Sequence, residues 1–448
     1  FISWLKWGIY PISIAFSLFI GFYLISYKLK RIDTIPLLFT FSSLFFLLWF
    51  WIRNFSNLTS VFFIGIFCRL LFWNHIPELS QDFYRFIWDG NIQLLGINPY
   101  RYTPISLVDL IEFPNSQLLY EKMGSLSNHH YSNYPPFSQY IFQVMAYFNK
   151  GNILHPLFVL RLIYLIGELV LFFGAKILLE KLKLPSINIA WYFLNPLVIV
   201  EGFGNLHSES LMITFSILSL LYCLKIKPII GGFFMTLAVG TKLLPLLLVP
   251  LFLKYLGFQR FLLFSISLVV FSGILWIPFL NEEMIKNYIQ TIQLWFTTFE
   301  FNGSIYNIVR AVGYEVKGYN IIRQLGKITP YITIILVFVF SLFNSNRNHN
   351  RLFKSMLLLL SFYFFIATTV HPWYIINLIL LGILTGYLFP ILWSMTVFWS
   401  YSAYKFNIVE ESIGYQLIAY ILVYGCLAFE MIKGRLGNHL HKPNFFGT

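Results

Sequence analysis

Residues 58–104 read LTSVFFIGIFCRLLFWNHIPELSQDFYRFIWDGNIQLLGINPYRYTP. As far as Trp73 the side chains suit lipid. Beyond it the character changes, and Asp82, Arg85, Asp89 and Arg101 all fall within residues 80–104. The apolar part predicts a membrane helix, because about 17–25 mostly apolar residues cross a bilayer. Similar runs extend outward on both sides. Upstream they cover about 8–27 and 35–52. Downstream, past a polar loop 74–133 and a short apolar piece 134–148, they cover about 157–179, 188–201, 208–224, 228–240, 243–256, 261–280, 328–343, 352–369, 373–387, 388–404 and 413–431. The fold class read from this pattern is all-α: a polytopic transmembrane helical bundle. It forms a single membrane-embedded domain over 1–448, with long loops at 74–133 and 281–327, the first carrying juxtamembrane helices.

Composition agrees. The 448 residues are 58% hydrophobic and 11% charged, against about 25% charged for a soluble domain. The alternation of an outer-membrane barrel is absent. The first apolar run lacks a small-residue cleavage site, so a retained helix is expected rather than a signal peptide. The net charge of +13 is explained by Lys and Arg in loops that orient membrane helices. No basic cluster is interleaved with aromatics, so no nucleic-acid partner is expected. Cys68, Cys223 and Cys426 sit singly in apolar runs and read as packing residues, without disulfide or zinc spacing.

Loop charge also sets orientation. Lys181/Lys183, Lys225/Lys227, Lys254/Arg260, Arg347/Arg351/Lys354 and Lys433/Arg435/Lys442 fall on one side only if 134–148 is a re-entrant or interfacial helix. That side is then cytoplasmic. The loops 74–133 and 281–327, the turn 205–209 and residues 371–374 are extracytoplasmic. One loop disagrees, because Lys28, Lys30 and Arg31 land outside. Every polar cluster of interest emerges on the same face.

Asp82 opens the loop's helical stretch. It reads as a helix cap, a metal ligand, or a general base for an acceptor hydroxyl. Spacings of three, four and seven put Asp82, Arg85 and Asp89 on one helix face. Arg85 is suited to a phosphate or a carboxylate; Asp89 reads as structural, tying the loop through Arg85 or Arg101. Tyr134-Pro135-Pro136 is a rigid helix start that also places Tyr134 to line a sugar site. Asn195-Pro196 interrupts a helix. Asn205, His207 and Glu209 then share a polar turn, where His207 beside Glu209 reads as a hydrogen-bonded pair or a sugar or phosphate contact. Three or four zinc ligands cannot be assembled.

Lys242, between apolar runs, either snorkels to the surface or meets a lipid-linked phosphate, since ionisable groups at membrane depth are costly. Glu300, Asn302, Tyr306 and Arg310 share FEFNGSIYNIVR (299–310), and His371, Trp373 and Tyr374 share HPWY (371–374). Interfacial aromatics are ordinary belt residues, but aromatics beside His and carboxamides also suit a sugar ring. No Walker A sequence or glycine-rich dinucleotide fingerprint is present. An extracytoplasmic sugar enzyme would draw instead on a polyprenyl-phosphate sugar, its phosphate held by Arg85, Lys242, Arg310 or His371 and its tail lying in an apolar groove.

The ordered set DFYRFIWDG…GINPY after residue 81, YPP at 134–136, NPLVIVEGFGNLHSE at 195–209, GTKLLPL at 240–246, FEFNGSIYNIVR and HPWY resembles the GT-C superfamily of integral-membrane glycosyltransferases. It looks most like bacterial polyprenol-phosphate-mannose-dependent mannosyltransferases, and more loosely like the GPI mannosyltransferase. The likeness covers most of the chain and rests on order and spacing.

The resemblance implies a GT-C-type bundle in a bacterial inner membrane, with an extracytoplasmic site. It implies inverting transfer of a sugar, mannose by analogy, from a polyprenyl-phosphate donor, with Asp82 as general base and no metal or other cofactor. Tyr134, Asn205, His207, Glu209, Glu300, Asn302, Trp373 and Tyr374 would contact sugar or acceptor; Asp89 and Arg101 would be structural. The superfamily's acidic pair is not intact, because position 84 is Tyr. The expected partners are membrane lipids and the lipid-linked donor, the expected state is a monomer, and the acceptor is left open. Two other readings compete: a solute or lipid transporter, and a surface-polysaccharide polymerase or ligase.

Overall fold

The computed structural model describes residues 10–55, 57–405 and 408–436. It is a helical bundle, and its strands among the described residues are the short hairpin Tyr404–Lys405 with Ile408–Val409. Among the described residues, five helices are long and apolar enough to cross a membrane: Thr34–Asn54, Leu154–Lys181, Phe258–Phe279, Ile322–Leu342 and Ile413–Lys433. A bent pair makes a sixth if counted as one span, and shorter apolar helices of 10–17 residues fill the bundle between them. The all-α polytopic reading holds.

The run expected at 188–201 is the bent pair, broken at Asn195-Pro196 as its sequence implies. Ser186–Phe193 and Val198–Gly204 meet at 62°. Pro196 has no N–H to continue the ladder, so the freed groups need other partners. Asn195 supplies one, accepting from the N–H of Leu197 at 2.9 Å and donating to the Ser394 hydroxyl. Arg69, fully buried on Leu58–Leu70, donates to the carbonyls of Phe193 (2.9 Å) and Gly65 (2.8 Å) and pairs with Glu168. Past the bend the chain winds as a π-helix, a form frequent at functional sites.

Pro136–Ala146 has 11 residues, a length of about 16 Å, too short for a hydrocarbon core of about 30 Å. It packs against Asp82–Leu94 where Gly90 permits contact: a Cβ there would lie 2.0 Å from the Phe142 carbonyl oxygen. Phe86 stacks on Phe142 (4.5 Å, 6°) in the same interface. Residues 281–327 hold two helices the apolar pattern did not single out, Glu282–Thr297 and Ile305–Lys317. Both are amphipathic, so neither yields a continuous apolar run.

Loops gather at two ends of the bundle. At one end Lys254 donates to Asn344 O (3.2 Å) and Tyr255 meets His349 (2.8 Å). At the other end, Arg31, the segment after Trp73, the turn 205–209, Lys242, the 299–310 segment and residues 368–374 converge. Arg161 binds this end together by donating to the carbonyls of Trp73 (3.0 Å), His75 (2.6 Å) and Gly204 (3.4 Å).

Candidate active site

Asp82 is the first residue of its helix, where a carboxylate is favoured by the helix dipole. The Ser80 hydroxyl accepts from its backbone N–H at 3.3 Å. Its side chain is 36% accessible and points at two partners. The Tyr134 hydroxyl donates to Oδ2 at 3.5 Å, and His207 Nδ1 lies 3.9 Å from the same oxygen. Burial raises the Asp82 pKa above the ordinary aspartate value; Lys242, the Tyr134 hydrogen bond and Arg31 oppose that rise. Burial likewise pushes the Tyr134 hydroxyl well up, so it stays a donor.

His207 is 2% exposed and turns its other nitrogen, Nε2, to Glu201 Oε2 at 3.6 Å. Leu206 beside it adopts φ 64°, a left-handed backbone that costs a leucine energy and turns the chain sharply out of the π-helix. Glu201, wholly buried, accepts from the Tyr401 hydroxyl at 2.7 Å and from Asn205 Nδ2 at 3.1 Å. Burial and the nearby Lys242 and His371 hold His207 well below the ordinary histidine range, so its ring is neutral. The pairing of His207 with Glu209 read from their spacing is replaced: His207 faces Asp82 and Glu201, and Glu209 pairs with Lys242.

Three rings stack behind His207. Trp373 lies on His207 (3.7 Å, 15°), His371 on Trp373 (4.3 Å, 8°) and Phe301 on His371 (5.1 Å, 26°). Two near-parallel imidazoles so close to the indole centre occupy its opposite faces. Trp373, expected to contact a sugar, therefore has no free face for one and braces His207 instead. Inside the stack, burial and Lys242 lower the His371 pKa to about 3, so a cationic phosphate contact is not its state at neutral pH.

Lys242 follows the end of Pro228–Thr241. Its side chain is 22% exposed, pairs with Glu209 and lies 5.9 Å over the Tyr374 ring. An apolar slot of about 60 Å³ lies between the helices that begin near Glu209 and Tyr374; Met212, Ile217, Leu220, Leu244, Leu248 and Leu381 line it.

The 299–310 segment forms a second cluster. Phe301 N–H donates to Thr368 O (3.1 Å) and Val370 N–H to Phe301 O (2.8 Å). Asn302, at φ 52°, donates to Val370 O at 3.2 Å, which latches the segment to 368–370 rather than offering its carboxamide to a sugar. Arg310 pairs with Glu300 (2.9 Å) and Glu411 (3.5 Å), and Tyr306 bonds Glu300. The two acids already neutralise Arg310, and both it and Glu300 are engaged away from Asp82.

Arg85 is 4% exposed and holds Asp89 (2.6 Å) and the carbonyls of Ser127 (2.5 Å) and His130 (2.9 Å). Of its two readings, it takes the carboxylate partner and not the phosphate. Gln139 completes Asp89 at 3.0 Å, while Arg101 pairs with Glu283 at the surface. Among the described residues no three His, Cys, Asp or Glu side chains group to hold a metal ion.

Two site residues escaped the motif reading. Glu201 had a signal, an acid inside an apolar run. Arg31 had another: it was the orientation rule's exception. Its guanidinium sits 4.1 Å over the Tyr404 ring and donates to Leu79 O at 3.4 Å.

No curated protein and no solved structure shows significant similarity to the chain. A family model described as alpha-(1->6)-mannopyranosyltransferase, N-terminal domain, matches residues 23–256. That match covers just over half of the chain and takes in Arg31, Asp82, Tyr134, Glu201, His207, Glu209 and Lys242. The chain belongs to this mannosyltransferase family.

Proposed function

We propose that the protein transfers mannose from a polyprenyl-phosphate donor to an acceptor hydroxyl, with inversion, on the extracytoplasmic face of a bacterial inner membrane. The observation that carries this reading is the placement of Asp82. It is an accessible carboxylate with a raised pKa, within electrostatic reach of Arg31 and Lys242, and Leu244, two residues past Lys242, lines an apolar slot. A raised pKa makes a carboxylate a better base near neutral pH.

In the reaction Asp82 takes the hydroxyl proton while the oxygen attacks the anomeric carbon from the side opposite the phosphate. The C–O bond to phosphate breaks with its electron pair going to the leaving phosphate. Arg31 and Lys242 stabilise that charge, and the slot takes the isoprenoid next to the phosphate. An α-linked product, as the family description names, requires a β-linked donor under inversion. The sidedness is supported by the lysine-rich loops at the opposite end, around Lys254 and Lys354.

The test is membranes containing the protein, given radiolabelled polyprenyl-phosphate-mannose and membrane lipid extract. Labelled glycan or glycolipid supports the reading. Labelled product from a nucleotide-mannose but none from the lipid donor would overturn it.

A further inference from the structure

Glu201 and His207 form a buried pair behind Asp82 whose geometry points to a role in setting the strength of the base. His207 is buried, and its Nε2 lacks a hydrogen-bond partner at present distances. Each of its nitrogens faces one carboxylate, Nδ1 toward Asp82 at 3.9 Å and Nε2 toward Glu201 at 3.6 Å. A neutral imidazole has one N–H, so only one of those carboxylates receives it. Glu201 already accepts from the Tyr401 hydroxyl and from Asn205. Both of its oxygens thus act as acceptors, so the geometry assigns the proton between Glu201 and His207 to the imidazole Nε2. Nδ1 is then left as a lone pair facing Asp82.

We propose that Glu201 is a positioning residue that fixes this tautomer of His207. Nδ1 thereby disfavours the Asp82 carboxylate and accepts a hydrogen bond from the Asp82 carboxylic acid formed when the acceptor hydroxyl is deprotonated. The proton balance is complete: one proton leaves the hydroxyl, binds Asp82, and is shared with Nδ1 without ionising the imidazole. Trp373 holds the ring plane by stacking. Catalytic hydrogen bonds are often long before substrate binds; reaching about 3.2 Å closes the Asp82 gap by about 0.7 Å and the Glu201 gap by about 0.4 Å. The proposal rests on Asp82 being the base.

The test compares Glu201→Gln with Asp82→Asn in the full-length protein. A carboxamide can donate to Nε2 and reverse the tautomer, as in catalytic triads where Asp is replaced by Asn. Glu201→Gln should lower kcat about 10–100-fold, part of what a general base contributes, with the donor KM within about twofold. The acid limb of kcat/KM should move to lower pH, because an Nδ1–H would stabilise the Asp82 carboxylate. The other titratable groups around the pair are Tyr134, Arg31, Lys242, Glu209, His371, Tyr374, Tyr401 and Tyr404; loss of the Glu201 charge acts on Asp82, Tyr401 and Tyr404 as well, so the tautomer decides, and a lowered limb with an unreversed tautomer overturns the proposal.

Solid-state 15N spectra of labelled histidine, assigned by a His207→Gln control, should show the Nε2–H tautomer in the wild type and its reversal in Glu201→Gln. Should Glu201→Gln fail to fold, Tyr401→Phe removes one donor to Glu201 and should shift the acid limb the same way by less. Wild-type kcat and pH profile in Glu201→Gln, with Asp82→Asn inactive, would overturn the positioning role alone. Loss of kcat with an unmoved acid limb and tautomer would overturn it too, leaving a packing role. Turnover retained in Asp82→Asn would overturn the base assignment beneath it.

Discussion

Trp373 stacks on His207 with 3.7 Å between ring centroids. This contact joins the start of one late helix to the turn after the broken helix, and it holds the imidazole edge-on between Asp82 and Glu201. A sugar-binding tryptophan would present an open face. This one has none, so the sugar of the proposed reaction meets the polar edge formed by Asp82, Tyr134 and Lys242.

Asp82→Asn keeps the shape and the Tyr134 contact but removes the base. Transfer should fall by about 10²–10⁴, while donor binding, measured by equilibrium binding of the lipid phosphate, stays within about twofold. Near-normal turnover would exclude Asp82 as the base.

The acid limb of kcat/KM should lie above the ordinary aspartate range. Burial raises the Asp82 pKa, and only the ionised form accepts the proton, so activity is lost as pH falls through that raised value. Arg31 lowers the same pKa. Arg31→Gln should therefore move the limb to still higher pH. A shift to lower pH would show that Arg31 does not act on Asp82.

Arg31 and Arg310 should separate kinetically. Arg31 faces the site with a ring and a carbonyl as partners, whereas Arg310 already has Glu300 and Glu411. A charged hydrogen bond is worth about 1.5–3 kcal/mol, so Arg31→Gln should weaken kcat/KM for the donor roughly 10–100-fold. Arg310→Gln should leave the donor KM nearly unchanged and lower the unfolding temperature in detergent. Equal kinetic effects from both would contradict the division.

Ser216 and Leu244 line the same apolar slot. Ser216→Phe should fill it, raising KM for a polyprenyl donor but not for an analogue whose phosphate carries a methyl group in place of the isoprenoid. If both donors respond alike, the slot does not hold the tail.

Arg69→Ala should destabilise the bundle by about 3–5 kcal/mol, since it strands a buried carboxylate, here Glu168, and removes the donor to Phe193 O at the bend. The double replacement Arg69→Met with Glu168→Leu should cost less than Arg69→Ala alone. Denaturant unfolding in detergent measures both.

The apolar helices were legible because lipid demands apolar runs, and the break at Asn195-Pro196 because proline cannot donate; which of the expected runs are long enough to cross was not, since among the described residues only five helices and the bent pair are. The amphipathic helices at 282–297 and 305–317 were not, since half their positions are polar. Asp82 was legible as an acid opening a polar loop, and Arg31 only as an exception to the charge rule. Partner choice was the least legible. His207 and Glu209 are neighbours in sequence, yet the helix starting at Glu209 carries that carboxylate away to Lys242.

The sequence by itself determined an all-helical membrane bundle, the end at which polar residues gather, and Asp82 as the acid to watch. Those follow from hydropathy and loop charge, which act residue by residue. Only the tertiary structure decided which cation meets which acid. Arg85 turned to Asp89, Arg310 to Glu300 and Glu411, Lys242 to Glu209, and Arg31 was left facing the site. A buried charge is stable only beside a partner, and which partner lies within reach is settled by how helices distant in sequence pack.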